Sequence, residues 1–165
     1  MTSTTYTSPE TVKSLRRTRQ ASLCEVVQRL IEIHARLATH YQEIARDARH
    51  ERVRLALQFL HAHENALVEY LQSSLDGAPQ VVLDRRFKYV PDLFGDDLFA
   101  TLAARQIETA EELAELVHGI HCAIDAVYEP LTGSMLPEEL HDTVDKLRSQ
   151  EREHVITQLR AVMDD

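Results

Sequence analysis

The sequence predicts an all-α domain of four long helices, with a long crossover between the second and third and an internal two-fold repeat. Three observations carry this expectation. Of 165 residues, 44% are hydrophobic, four are Gly, five are Pro and none is Trp, set against many Ala, Leu, Glu and Arg. That composition favours helix over sheet and supplies enough chain for one real core. Apolar residues recur at alternating intervals of three and four, which places them on one face of a helix packed against a neighbour. Finally, stretches 87 residues apart repeat one another position by position, the kind of internal similarity that constrains a fold most.

Residues 1–8 are polar and expected to be disordered, with the domain spanning 9–163. Ser8, Pro9 and Glu10 follow the order of N-cap, first-turn proline and first-turn acid at a helix start,. The first helix then runs to about Arg46, either continuous or broken near Ser22, with a stripe of Val27, Leu30, His34, Leu37, Tyr41 and Ile44. A short link around Asp47 to Arg49 leads to a second helix from about His50 to Leu75. So short a link makes the two antiparallel neighbours. The second stripe is Val53, Leu57, Leu60, Glu64 and Leu67.

Asp76-Gly77-Ala78-Pro79 stops that helix,. The crossover, residues 76–95, carries Val81, Val82, Leu83, Phe87, Tyr89 and Phe94 without a helical stripe. Extended at about 3.3 Å per residue against about 1.5 Å in a helix, it is long enough to return along the whole domain with its aromatics over a groove. The third helix is expected from about Asp96 to Leu131, weakened at Gly119 and kinked or frayed by Pro130,. Pro137-Glu138-Glu139 opens the fourth, which runs to about Met163,.

Adding 87 converts the second stripe into Leu140, Val144, Leu147, Glu151 and His154. It converts the first into Ala114, Val117, His121, Ile124, Tyr128 and Leu131. Both versions of the first stripe hold a histidine where an apolar residue is expected, and both versions of the second hold a glutamate. His34 and Glu64 each lie about fifteen residues from the turn near Arg49, so they stand side by side on antiparallel helices. His121 and Glu151 are placed the same way by a turn near Leu136. The five residues His34, Glu64, His121, Glu151 and His154 therefore form one polar layer near mid-length. A charged group on a core-facing stripe is costly unless paired.

A net charge of −9 argues against nucleic acid as a partner,. No apolar run approaches a membrane span, and the Thr/Ser-rich N-terminus lacks the apolar segment of a signal peptide, so a cytoplasmic location is expected,. Cys24 and Cys122 are isolated, with no Cys-x-x-Cys pair for a zinc ribbon or rubredoxin-type iron site, and are expected to be reduced core residues,.

Four helices, a long central crossover, the internal repeat and Glu151-x-x-His154 on the last helix together resemble the ferritin-like superfamily, above all rubrerythrin-type di-iron domains, over about residues 22–163. In that family a glutamate from each of two helices and a Glu-x-x-His from each of the other two hold a pair of iron ions. Glu151 and His154 match the fourth-helix motif and Glu64 the second-helix glutamate. Leu67 stands where its histidine belongs, and His34 and His121 replace the remaining glutamates. The resemblance implies a metal-binding protein with a modified His/Glu site for iron, mononuclear or dinuclear, with Mn or Zn as alternatives. It also implies an oxidoreductase of peroxidase or ferroxidase type. The loss of half the carboxylates weakens the case for dinuclear chemistry.

By their chemistry, three imidazoles and two carboxylates suit one divalent ion. The alternative is a metal-free network in which His and Glu satisfy each other inside a non-enzymatic helical interaction module. Tyr41 and Tyr128 are either ordinary core residues or hydrogen-bonding supports of the site. His61 and His63 flank Glu64; His61, three residues before it, could reach the site from the stripe's edge, but both are expected to be half-exposed. His118, one turn before His121, is expected to be peripheral, while Glu108, Glu111 and Glu112 lie off the stripe as solvated charges. A homodimer is compatible with the helical pattern.

Overall fold

The computed structural model describes residues 18–91, 105–132, 138–152 and 155–164. These residues are mostly helical, in agreement with the all-α expectation. The elements are β1 (Thr18–Ser22), α1 (Leu23–Asp47), α2 (Glu51–Gly77), α3 (Gln80–Leu83), β2 (Arg86–Pro91), α4 (Ala110–Thr132), α5 (Glu138–Arg152) and α6 (Val155–Asp164).

The ambiguity at Ser22 resolves as a break. The Ser22 hydroxyl accepts from the Glu25 N–H (3.1 Å) and the Glu25 carboxylate accepts from the Ser22 N–H (2.8 Å), a complete capping box that starts α1,. Below it α1 buries Leu30, Ile33, His34, Leu37 and Tyr41 on one face. Helix α2 buries Val53, Leu57, Leu60, Glu64, Leu67 and Leu71. The two helices pack along their length. His34 meets Glu64 and His61 meets the Ala38 carbonyl, pairings whose numbers run in opposite directions, so the helices are antiparallel as expected.

The crossover departs from expectation. Val82 N–H and Leu83 N–H bond back to Pro79 to form the single turn of α3, and β2 then pairs antiparallel with β1, Ala21 opposite Phe87 and Arg19 opposite Val90. The Leu23 N–H also donates to the Arg85 carbonyl (2.9 Å), tying the crossover to the first turn of α1. Phe87 and Val90 face the core while Tyr89, at φ 64°, is exposed. This ribbon joins residues more than sixty positions apart, and neither strand is long enough for alternation to declare it.

Helix α4 begins later than Asp96: residues 105–109 are not helical. A second capping box sets the start, Glu112 N–H to the Thr109 hydroxyl (3.2 Å) with the Glu112 carboxylate accepting from Glu108 and Thr109 (2.8 and 3.2 Å). Glu112 is thus exposed but bonded, not merely solvated. Ser22 and Thr109 are themselves 87 residues apart. Likewise α2 and α5 begin at Glu51 and Glu138, and α2 and α6 end at Gly77 and Asp164, each pair separated by that same offset.

Helix α4 packs on α5 and α6 and on β2, while α2 packs on α4, α5 and α6. Arg148 and Arg152 of α5 both clasp the Asp125 carboxylate of α4 (2.7–2.9 Å), and Arg148 also reaches Glu129 and Thr132. These two guanidinium groups hold the Asp125 carboxyl well below the usual carboxylate range. Both cysteines are free, but the core placement is corrected: Cys24 is half-buried and Cys122 exposed, because each lies beside its helix's apolar stripe. The expected helix start at Ser8, Phe94 and the turn at 133–137 lie outside the described residues. No described helix is long and apolar enough to cross a membrane.

Candidate functional site

At mid-length of α1 and α2, and in the last turn of α5, the core gives way to three buried polar residues, His34, Glu64 and Glu151, each at most 3% exposed. The stripes force this: the same 3–4 spacing that buries Leu30, Leu37, Leu60 and Val144 buries the polar members between them. His34 is the hub. Its Nδ1 bonds to Glu64 Oε2 and its Nε2 to Glu151 Oε1 at 2.9 Å. With both carboxylates ionised they only accept, so both ring nitrogens donate and the ring is an imidazolium. Burial alone would pull its pKa down. The charge and hydrogen bond of Glu151, with those of Glu64, outweigh that and push it up to about 10,.

Tyr128 of α4 donates its hydroxyl to the same Glu151 Oε1 (3.0 Å). Burial and the neighbouring Glu151 charge raise the Tyr128 phenol well above its usual range, so it stays a donor; burial and the Glu64 charge do the same for Tyr41. Tyr128 therefore supports the layer, one of the two roles open to it from sequence. Its removal is readily measured. Tyr128→Phe leaves Glu151 Oε1 with a single donor and should destabilise the protein by about 1.5–3 kcal/mol in a denaturant titration, with little change for Tyr70→Phe as a control.

Of the five residues expected in the layer, three are in direct contact. His121, from α4, is half-buried, and its pKa is lowered by burial first, with the charges of Glu64 and Glu151 opposing and those of His63 and His34 assisting. It belongs to the same electrostatic neighbourhood. His154 lies outside the described residues. Among the described residues no group of three or more His, Cys, Asp or Glu stands ready as a metal cage.

Of the buried side-chain atoms without a hydrogen-bond partner among the described residues, two belong to this neighbourhood, Oε2 of Glu151 and Nε2 of His63. Two carboxylates against one imidazolium also leave the layer with formally one excess negative charge. A buried charge of this kind is expensive without compensation.

The flanking histidines separate cleanly. Nδ1 of His61 donates to the Ala38 carbonyl (2.7 Å), and its Nε2 accepts from the Asn65 amide (3.2 Å), so it is peripheral as expected. His118 is exposed beside Cys122. His63 is half-buried, and burial lowers its pKa, with the charges of Glu64 and Glu151 opposing and that of His34 assisting. A signal for it existed: Ala56, Leu60, His63, Leu67 and Tyr70 are spaced 4, 3, 4, 3, a second stripe on α2 adjoining the first. Comparison with protein families, with curated proteins and with solved structures finds no match to this chain.

Proposed function

We propose that this chain is a ferritin-like four-helix bundle that binds one divalent transition-metal ion, iron first and manganese or zinc next, at the layer of His34, Glu64 and Glu151. The observation that carries the reading is the buried Oε2 of Glu151, which has no partner among the described residues and belongs to a layer with surplus negative charge. The helix starts and ends at an offset of 87, with two capping boxes at equivalent positions, support the internal repeat of such a bundle.

By its chemistry, a set of two carboxylates and two imidazoles suits one ion. Glu64 and Glu151 would hold it through carboxylate oxygens, and His121 and His154 would supply imidazole nitrogens. Two carboxylates are too few to bridge and neutralise the two ferric ions of a rubrerythrin-type site. When bound, iron or manganese supplies Lewis acidity and one-electron redox chemistry, the basis for a peroxidase- or ferroxidase-like activity. The protein's own part is positional. Tyr128 fixes the Glu151 carboxylate, the apolar stripes exclude water, and His34 must surrender a ring proton before it can offer a nitrogen.

The second reading, a metal-free helical interaction module, is favoured by the double engagement of His34. The two are separated by elemental analysis after anaerobic reconstitution with Fe(II). Close to one equivalent is expected, together with a rise in melting temperature. Free metal at a hundred times Kd adds about 2.7 kcal/mol, or roughly 5–10 °C for a chain of this size. Less than about a tenth of an equivalent of every metal tried, with no thermal shift, would overturn the metal reading.

A further inference from the structure

The ribbon of β1 and β2 turns Phe87 and Val90 into the core and leaves an outer face to solvent. Between the pairs Ala21–Phe87 and Arg19–Val90, Gln20 alone stands opposite both Lys88 and Tyr89, a bulge on β2. A bulge re-aims the side chains it carries. Here Lys88 and Tyr89 are exposed in succession, Tyr89 by 71% and at φ 64°. A non-glycine residue in that left-handed region is uncommon and strained. An aromatic ring held out into solvent on such a backbone gains little from packing, so its position calls for an explanation outside the fold.

The charges around it are unbalanced. The chain carries a net charge of −9, yet Arg19, Arg85, Arg86 and Lys88 are all exposed on or beside the ribbon. Elsewhere Arg29, Arg54, Arg148 and Arg152 are paired with carboxylates. Among the described residues no carboxylate forms an ion pair with the four ribbon cations. Asp84 accepts instead from the Gln80 amide (2.7 Å), and the Glu25 carboxylate from the Ser22 N–H (2.8 Å). That N–H, with the charges of Arg86 and Arg19 assisting, holds the Glu25 carboxyl below its ordinary range against desolvation.

We propose that the outer face of this ribbon, Arg86, Lys88 and Tyr89 flanked by Arg19 and Arg85, binds an acidic segment of a partner protein. Arg and Tyr are the residue types that concentrate binding energy at protein interfaces. A guanidinium takes a carboxylate through two parallel hydrogen bonds, and three of the four cations are Arg,. Tyr89 supplies a rigid ring for the apolar side chains that stand between the acids. Charge also sets the class of partner. A long polyanion such as nucleic acid, or an anionic membrane, brings its own charge against the acidic remainder of the chain, whereas a short acidic segment meets the ribbon alone. This surface is separate from the buried polar layer and does not depend on the metal reading.

The test is a fluorescence-anisotropy titration of the full chain into a labelled peptide of repeated Glu-Leu-Glu-Ser units. A peptide with Gln in place of Glu, labelled oligothymidylate, and phosphatidylserine vesicles read by co-sedimentation are run beside it. Saturable binding of the Glu peptide is expected, weaker by at least about tenfold for the Gln peptide and for the wild-type peptide on Arg86→Glu with Lys88→Glu. Arg86→Gln with Lys88→Gln serves if the reversed pair does not fold by circular dichroism. Tyr89→Asn suits the left-handed backbone, so it should keep the wild-type melting temperature or exceed it while weakening the Glu peptide about fivefold. No saturable binding by the wild type, equal binding of the Gln peptide, or undiminished binding by a folded charge variant would overturn the proposal. Tighter binding of oligothymidylate or vesicles than of the Glu peptide would overturn the class of partner. A Tyr89→Asn protein that melts lower yet binds as the wild type does would overturn the part assigned to Tyr89.

Discussion

Replacing His34 with leucine lowers the melting temperature of the metal-free protein by roughly 6–20 °C. The substitution is apolar and close in volume, and the surroundings are a helical core, so a reading from hydropathy alone would forecast stabilisation. The geometry forecasts the opposite. Among the described residues His34 alone bonds both Glu64 and Glu151, which are 2% and 3% exposed. Without it two buried carboxylates face each other with no countercharge, and breaking a buried pair from one side costs about 3–5 kcal/mol. For a chain of this length that is roughly 6–20 °C. Replacing the network as a whole, with His34→Leu, Glu64→Met, Glu151→Met and Tyr128→Phe together, should recover most of the loss, because no buried carboxylate is then left without its countercharge. Thermal melts by circular dichroism in the presence of a chelator read both variants. A His34→Leu protein at least as stable as wild type would show that the layer is not ionised as described.

Alkaline pH should reproduce part of that loss without any mutation. The folded-state pKa of His34 is raised from its ordinary 6.5 to about 10, so the native protein holds a proton that the unfolded chain releases. The associated stability is complete below about pH 6.5, falls progressively as the pH rises, and is gone above about pH 10. Over that window the slope approaches about 1.4 kcal/mol per pH unit, and unfolding midpoints measured from pH 6 to 10.5 should fall accordingly. The His34→Leu variant should be flat over the same range. His63 and His121 have lowered values, chiefly through burial, so their contribution runs the other way and is exhausted by about pH 7,. A wild-type midpoint that is level from pH 7 to 10 would remove His34 as the charged hub.

Much of this site could be read from the chain. The spacing of Val53, Leu57, Leu60 and Glu64 put a carboxylate on a core-facing stripe, and equal distances from the turn placed His34 beside it. The contact His34 makes with Glu64 is that geometry realised. Glu151 also meets His34, across 117 residues of sequence, because helix α5 presents the same stripe as α2. The helix start at Thr109 was legible in principle as Thr-x-x-Glu, although the expected start lay earlier, at about Asp96. Local hydrogen bonding by Thr109 and Glu112 fixes it.

By itself, the sequence determined the helical class, the antiparallel pairing of the first two long helices and the identity of the buried polar residues. Periodicity acts through neighbours three and four positions apart and therefore survives in one dimension. Only the tertiary structure decided who bonds to whom. It assigned both nitrogens of His34 to carboxylates, gave Tyr128 to Glu151, retired His61 to a backbone carbonyl and left His63 with an unmatched nitrogen. It also decided that residues 86–91 pair with 18–22 as a ribbon. These outcomes depend on the rotation of each helix about its axis and on contacts between distant segments, and a buried hydrogen bond is won or lost over less than an ångström, a distance that spacing along a chain does not encode.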